Sequence, residues 1–372
     1  MGGCGSKDGI TDASKKNMSA YKTADELVDF SKFFPSGTSS ALSRNLTQEI
    51  WDEYKDVSDK SGVSFKICIF SGVKNLDSGI GLYAGSHNSY TTFNKLFDKV
   101  VQEYHGHGPD AKHTSDMKAD DLQNADFTEE DSAMVVSTRI RVGRNLDGFP
   151  LGPGVSKEQR LEIMEKVVSA CKTFEGDLAG TFYPLEGMDA AVQKQLIEDH
   201  FLFKEGDRFL AACNLNRDWP SGRGIFHNDA KTFLVWVNEE DQLRIISMQK
   251  GAGIKEVFDR LSRAAAHIET VCKFSHDEHL GYITSCPTNL GTALRASVHI
   301  KLPKLMKNKP VFNQIADKYH VQIRGIHGEH TETNDGTYDI SNKRRLGRSE
   351  KELVQDMIDG VHALITAEKA EA

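Results

Sequence analysis

No stretch of the 372-residue chain is long, apolar and uncharged enough to span a bilayer, so the sequence predicts no transmembrane segment. A basic surplus is missing too. Asp and Glu number 54 against 46 Lys and Arg, a net charge of −8, which argues against a nucleic-acid binder whose cations must meet phosphate along a whole surface. Any anion site must therefore be a local cluster of arginines in an acidic protein. Cysteines are sparse (Cys4, Cys68, Cys171, Cys213, Cys272, Cys286) and form no CxxC pair, a pattern of free thiols in a reducing cytosol rather than a disulfide framework. The signatures GxxxxGK[ST], HRD and DFG are absent, which excludes a P-loop or protein-kinase site. His105, His107 and His113 lack a Cys or carboxylate at ligand spacing; they read as solvated linker histidines, and no protein metal site is predicted.

What is present divides the chain. A length of 372 residues predicts more than one core. The opening MGGCGSK matches an acylation pattern, with Gly2 exposed after Met removal, Ser6 in place and Cys4 available for a second acyl chain. An unmodified glycine-rich start is the competing reading, because one myristoyl chain anchors weakly. Residues 1–20 read as a flexible tail and 21–113 as a helical domain, with helical apolar spacing over 24–33 and 47–57. Within it, 71–90 is a Gly/Ser-rich loop. Its centre, Ser78, Gly79, Ile80, Gly81, Leu82 and Tyr83, offers consecutive backbone amides to a small carboxylate. Residues 114–131 read as a linker and 132–372 as a second, larger domain. There, helices are predicted over 156–174, 254–271 and 349–365, the first and last with capping residues, and strands over 133–142, 232–237, 242–248, 282–286 and 297–302. Alternating apolar and polar side chains mark an antiparallel sheet. The expected fold class is α+β: a small all-helical N-terminal domain, then a larger domain whose antiparallel β-sheet is flanked by α-helices.

The chemistry gathers on arginines. Arg139 and Arg141 lie two apart in one predicted strand and so share a face; Arg244, Arg295 and Arg324 lie in or beside others. Half-buried strands seldom carry repeated arginines unless an anion meets them, since unpaired buried charge is costly. Guanidinium groups grip phosphate oxygens bidentately, and a convergent set points to a polyphosphate. A solvent-facing position would account for any one of them but strains for five. Glu239, Glu240 and Asp241 precede Arg244, and Glu329 follows Arg324 by five residues, which suits a cationic acceptor. Taken alone, 239–241 reads as an ordinary hairpin turn. Residues 282–303 predict a second hairpin carrying Cys286, which Pro287 biases toward extended backbone. Phosphoryl transfer by such a chain would rest on positioning and arginine electrostatics, with Mg2+ carried by the nucleotide.

The segments CPTNLGTALRASVHIKLP, STRIRVGRN, DWPSGRGIFHN, KTFLVWVNEEDQLRIISMQKG, IRGIHGEHTE and YDISNKRRLG together resemble the phosphagen (guanidino) kinase family, most closely its arginine kinases, from about residue 22 onward. The resemblance implies reversible transfer of the γ-phosphoryl of MgATP to a guanidino nitrogen. It implies a nucleotide site made of Ser137, Thr138, Arg139, Ile140, Arg141, His227, Arg244, Arg295, Ala296, Ser297, Val298, His299, Arg324, Gly325, Ile326, His327, Gly328 and Glu329. The arginines would cradle phosphates, while His227 and His299 would flank adenine. On the acceptor side it implies that Glu240 and Glu329 grip the guanidinium, that Cys286 touches it as thiolate, and that 79–83 with Ser78 hold the amino-acid carboxylate. Arg244, Glu240, Cys286 and Glu329 would be the catalytic set. Glu329 and Tyr104 match the arginine-kinase pattern, whereas His327 stands where those enzymes commonly carry Arg. The implied partners are ATP/ADP with Mg2+ and L-arginine, or else taurocyamine, lombricine or creatine. The chain would be a cytoplasmic monomer or homodimer without nucleic acid, attached to a membrane or flagellum if Gly2 and Cys4 are acylated. Residues 325–336 have the composition of a lid, with 71–90 closing from the other domain. A non-catalytic nucleotide binder would lack an arginine or a carboxylate, and none is missing.

Overall fold

Aromatic side chains build the smaller of two main cores: Phe33, Trp51, Phe65, Phe93 and Phe97 are buried together, the first two with ring centroids 4.8 Å apart. The computed structural model describes residues 17–325 and 335–371. Around that core run α1 (Ala41–Asn45), α2 (Gln48–Tyr54), α3 (Phe65–Lys74), α4 (His87–Thr92) and α5 (Asn94–His105). Ser40, Thr47 and Ser64 start the first three, each side chain accepting the amide proton three residues on. The predicted helix over 24–33 is instead two separate 3₁₀ turns, Ala24–Glu26 and Phe30–Lys32; Asp29 accepts the Ser31 amide and so restarts the chain. The predicted loop 71–90 is shorter than expected, because α3 runs on to Lys74. Gly72 permits this: a Cβ there would lie 2.5 Å from the Gly81 carbonyl oxygen.

After a connecting stretch containing α6 (Glu129–Ser132), the larger part runs β1 (Val135–Arg144), α7 (Lys157–Cys171), β2 (Gly180–Pro184), α8 (Ala190–Glu198), α9 (Arg208–Ala212), β3 (Gly224–Asn228), β4 (Phe233–Val237), β5 (Leu243–Lys250) and α10 (Ile254–Val271). It continues through β6 (His276–Asp277), β7 (Gly281–Tyr282), β8 (Leu294–Lys301), α11 (Lys309–Lys318), β9 (Val321–Gly325), β10 (Thr337–Asn342) and α12 (Glu350–Ala370). Eight strands form one sheet in the order β2-β3-β4-β5-β1-β8-β10-β9, antiparallel throughout. The α+β expectation holds. Ile140, Val142, Ile245, Ala296, Val298 and Ile340 face α10 and α12 in the larger core. Capping boxes at Ser156/Gln159 and Ser349/Glu352 start α7 and α12 as predicted.

Residues 282–303 do not form the expected hairpin. Tyr282 pairs with His276 in the small β6–β7 ribbon, 287–289 coil into a 3₁₀ turn, and β8 enters the large sheet between β1 and β10. The two predicted strands therefore belong to different sheets. The histidines read as solvated are also buried or bonded. His105 and His107 bond the carbonyls of Pro287 and His279, and His113 accepts the Gly347 amide. They join the helical part to the larger one. Arg144 and Glu350 form a buried pair at 3.4 Å, with Ser115 and Asp116 also donating to that carboxylate and the Arg144 guanidinium 3.4 Å over the Tyr282 ring. Among the described residues no helix is long and apolar enough to cross a membrane.

Candidate active site

Strand alternation puts the site on the sheet face opposite the larger core. In register, Arg141 lies across from Arg295, Arg139 from Ser297, Gly143 from Arg244, His299 from Asp339, and Asp339 from Arg324. All five arginines therefore rise from one face of β5, β1, β8 and β9, as the two-residue spacing of Arg139 and Arg141 predicted. Trp236, across from Arg244, lies under two of them, 5.3 Å from the Arg244 guanidinium and 5.8 Å from that of Arg139.

Mutual repulsion defines this cluster electrostatically. Burial, with Arg244 and Arg295 nearby, pulls Arg139 down to about 10, and burial with the same neighbours lowers Arg141. Nε and Nη2 of Arg139 are buried without a hydrogen-bond partner. Unpaired buried donors in a like-charged group fit a polyanion, whose oxygens would satisfy them. Two arginines are compensated at the ends. Arg244 Nη2 lies 3.0 Å from Glu239 and 3.4 Å from Glu240; burial alone would lower its pKa, but these carboxylates and Asp241 outweigh it. Arg295 Nη2 lies 3.0 Å from Asp339, which also sits 3.7 Å from His299 Nε2. Burial would raise the Asp339 pKa, but His299 and Arg295 hold it below the usual range.

The turn 239–241 is the β4–β5 hairpin, as its plainest reading said, but its carboxylates face inward. Burial and then Asp241 push Glu240 up to about 7, against the pull of Arg244. Asp241 accepts from Asn145 Nδ2 at 2.8 Å and from the Ser285 amide at 3.0 Å, tying the hairpin to the residue before Cys286. Cys286 is buried with Tyr83, Cys213 and Leu215, its sulfur 3.1 Å from Thr288 Oγ1. Its thiol is pushed up to about 12, not down as expected. Burial dominates, and the next cause is the negative Glu240 rather than any arginine. The loop around 78–83 reaches the same place, the Ala84 amide donating to Ser285 O at 2.7 Å, while Gly79 O, Ile80 O and Gly81 O are engaged by the Ala41, Leu42 and Gly72 amides. The amides at its two ends are not open as expected: that of Ser78 donates to Asn75 O at 3.0 Å and that of Tyr83 to Cys68 O at 2.9 Å. Arg208 ties that loop to α9 through Asn75 at 2.9 Å and Asp77 at 2.5 Å.

Other predicted residues are distributed as follows. Ser137, Arg139, Arg141, Ser297 and His299 lie on the arginine face, whereas Ile140, Ala296 and Val298 point into the larger core and Thr138 Oγ1 bonds Gly251 O at 2.8 Å. Ser78 is buried and Gly325 ends β9. Ile326, His327, Gly328 and Glu329, with Gly2 and Cys4, lie outside the described residues. His227 shares the arginine face by register, since Ile225 two residues before it lies across from Trp236 and Trp236 across from Arg244. It stands on β3 and His299 on β8. His227 stacks on Tyr183 at 4.8 Å and lines a cavity of about 500 Å3 with Met188, Val192 and Leu196. Asp339 and Trp236 took no part in the sequence reading of the site. Only strand register, which pairs Asp339 with both His299 and Arg324, reveals the first of them.

Comparison with known proteins decides the family. Residues 36–102 match the N-terminal domain of ATP:guanido phosphotransferases and 162–371 their C-terminal catalytic domain. The chain belongs to the ATP:guanido phosphotransferase family. Its relatives within that family include an arginine kinase of Limulus polyphemus, 51% identical over 337 residues, covering 91% of this chain and 94% of that protein. Arginine kinase 1 of Drosophila melanogaster is 50% identical, covering 92% and 96%. Among solved ATP:guanido phosphotransferase structures, a lombricine kinase superposes with a TM-score of 0.86 at 39% identity, covering 94% of this chain and 96% of that one. The duplicated taurocyamine kinase of Schistosoma mansoni, with bound transition-state analogue components, gives 0.84 at 41%, covering 91% of this chain and 48% of that one.

Proposed function

We propose that this chain is an arginine kinase, reversibly transferring the γ-phosphoryl of MgATP to the guanidino group of L-arginine to give phosphoarginine and ADP. The observation that carries the reading is the single sheet face on which five arginines converge, bounded at one end by the Glu239–Glu240 pair. Arg139, Arg141, Arg244, Arg295 and Arg324 neutralise the phosphates and the transferring group, and His227 and His299 flank the base. Mg2+ arrives on the nucleotide as part of the substrate. Glu240, with Glu329 as its proposed counterpart, orients the acceptor guanidinium in line with the phosphorus; the backbone of 79–82 takes its carboxylate, the Tyr83 amide being held by Cys68 O. The N–P bond forms as the bond from phosphorus to the bridging oxygen breaks, and one guanidinium proton is lost. A group of pKa above about 12 does not surrender that proton to a carboxylate near 7 in advance, so Glu240 accepts it only as nitrogen bonds phosphorus.

The domain division at 21–113, 114–131 and 132–372 belongs to this proposal, as do closure by the 325–336 lid, cytoplasmic location and acylation at Gly2. An intact-mass spectrum of the chain expressed in a eukaryote would show the acyl group; an unmodified Gly2 would remove the tether. The function is tested by a coupled assay of ADP formation from MgATP with arginine, taurocyamine, lombricine, creatine and glycocyamine. Arginine is expected to give the highest kcat/KM. A higher value for another acceptor would replace the substrate, and no turnover with any would overturn the reading.

A further inference from the structure

The Cys286 turn is held from behind more completely than a three-residue 3₁₀ turn requires. The Cys286 carbonyl accepts from Thr284 Oγ1 at 2.9 Å and from the Asn289 amide at 3.0 Å. Pro287 O bonds His105 Nε2 at 2.9 Å, so that ring nitrogen carries the proton and donates. Thr288 O accepts from Arg345 Nη1 at 2.8 Å, and the same nitrogen reaches Asn289 Oδ1 at 2.7 Å. Arg345 also offers its own carbonyl to the Thr292 amide and hydroxyl, both at 3.3 Å, and a Cβ on Gly291 would lie 2.6 Å from that oxygen. The three side-chain donors, Thr284, His105 and Arg345, come from three places: the strand-to-turn approach, the last turn of α5 in the helical part, and the segment between β10 and α12.

We propose that Arg345, seconded by His105, is a positioning residue that fixes the Cys286 turn against the acceptor pocket. The inference rests on the arginine-kinase reading for its substrate. Thr288 is the hinge of the device: its carbonyl is gripped by Arg345 while its hydroxyl meets the Cys286 sulfur, so fixing one end sets the other. A guanidinium suits this role because its donors are planar and permanently charged, and lysine would replace the fork with one mobile ammonium. Arg345 lies outside the phosphate cluster; its lowered pKa comes first from burial, while Tyr104 and Cys286 oppose that shift.

The test compares Arg345→Met, Arg345→Lys and Asn289→Ala in the full chain. Arg345→Met should raise the KM for arginine about tenfold, leave the KM for MgATP within about twofold, and speed alkylation of Cys286 by iodoacetamide about tenfold. Arg345→Lys should recover to within about threefold of the parent on both readouts, and Asn289→Ala should shift both by about threefold. Arg345→Met with both readouts unmoved overturns the inference, and so does an equal rise in both KM values, which would mark a merely structural role. If Arg345→Met does not fold, Asn289→Ala decides by the same measures. Alkylation is measured on the protein alone. A parent chain that does not phosphorylate arginine therefore refutes the proposed function, while the alkylation rates still decide the role of Arg345.

Discussion

Arg244→Ala is the most informative single change, because it strips the counter-charge from two buried carboxylates at once. Glu239 and Glu240 lie 3.0 and 3.4 Å from Arg244, and these side chains are only 17–18% exposed, so solvent screens them little. Removing one partner of a buried pair costs about 3–5 kcal/mol, chiefly by leaving charge uncompensated. In a chain of this length that lowers Tm by roughly 4–6 °C at pH 8. The pH dependence gives the argument its edge. The pKa of Glu240 is about 7 in the fold, above the ordinary carboxylate value of 4.5, so its ionisation costs stability as pH rises through 7 and nothing below 4.5. Without Arg244 that pKa climbs and the cost grows. The Tm gap between parent and variant should therefore narrow as pH falls from about 8 to about 5, where a protonated Glu240 needs no cation. Turnover should fall by about 10³ or more, the scale of losing an arginine at a transferring phosphoryl. Circular-dichroism melts across that pH range, with the coupled assay at pH 8, check both. A gap that does not change with pH, or turnover within tenfold of the parent, would refute the reasoning.

Glu240→Gln should melt higher than the parent at pH 8 and equally at pH 4.5, since it deletes a group whose ionisation is penalised, and it should alkylate faster at Cys286 because a negative neighbour of the thiol is gone; an unchanged melt at pH 8 would count against the buried-carboxylate account. Asp339→Asn frees Arg295 and His299 from their shared partner and should raise the KM for MgATP about fivefold with the arginine KM unmoved, as initial rates will show; equal effects on both would reject it. Glu350→Ala leaves Arg144 buried and unpaired and should cost about 3–5 kcal/mol in urea unfolding, while Arg144→Met with Glu350→Met should cost less; a double variant worse than the single contradicts this.

The arginine face was legible because side-chain alternation is a property of the strand itself: once 135–144 is extended, Arg139 and Arg141 must point together. Helices announced by Ser or Thr at the N-cap followed by apolar spacing were legible for the same local reason. The helix over 24–33 failed on a local bond, the Asp29 carboxylate taking the Ser31 amide, but the other misreadings depended on partners distant in sequence. Tyr282 and Leu294 both look like strand residues, but which strand each meets is settled by β6 and β1, and nothing local to 282–303 says so. The Cys286 thiol was misjudged because the side chains packed around it, Tyr83, Cys213 and Leu215, exclude water, while Arg244 and Arg295 are partly spent on Glu239, Glu240 and Asp339.

The two faces of β1 differ as much as two faces of a strand can, with Ile140 and Val142 in the apolar core and Arg139 and Arg141 behind them. Slipping this strand by one residue against β5 and β8 would drive two guanidiniums into hydrocarbon and turn two aliphatic side chains onto the arginine face. A slip of two would keep each side chain on its face but move Arg139 away from Ser297 and Arg141 away from Arg295. The pairing of β1 is therefore the one point at which the apolar core and the charged face are specified by the same choice.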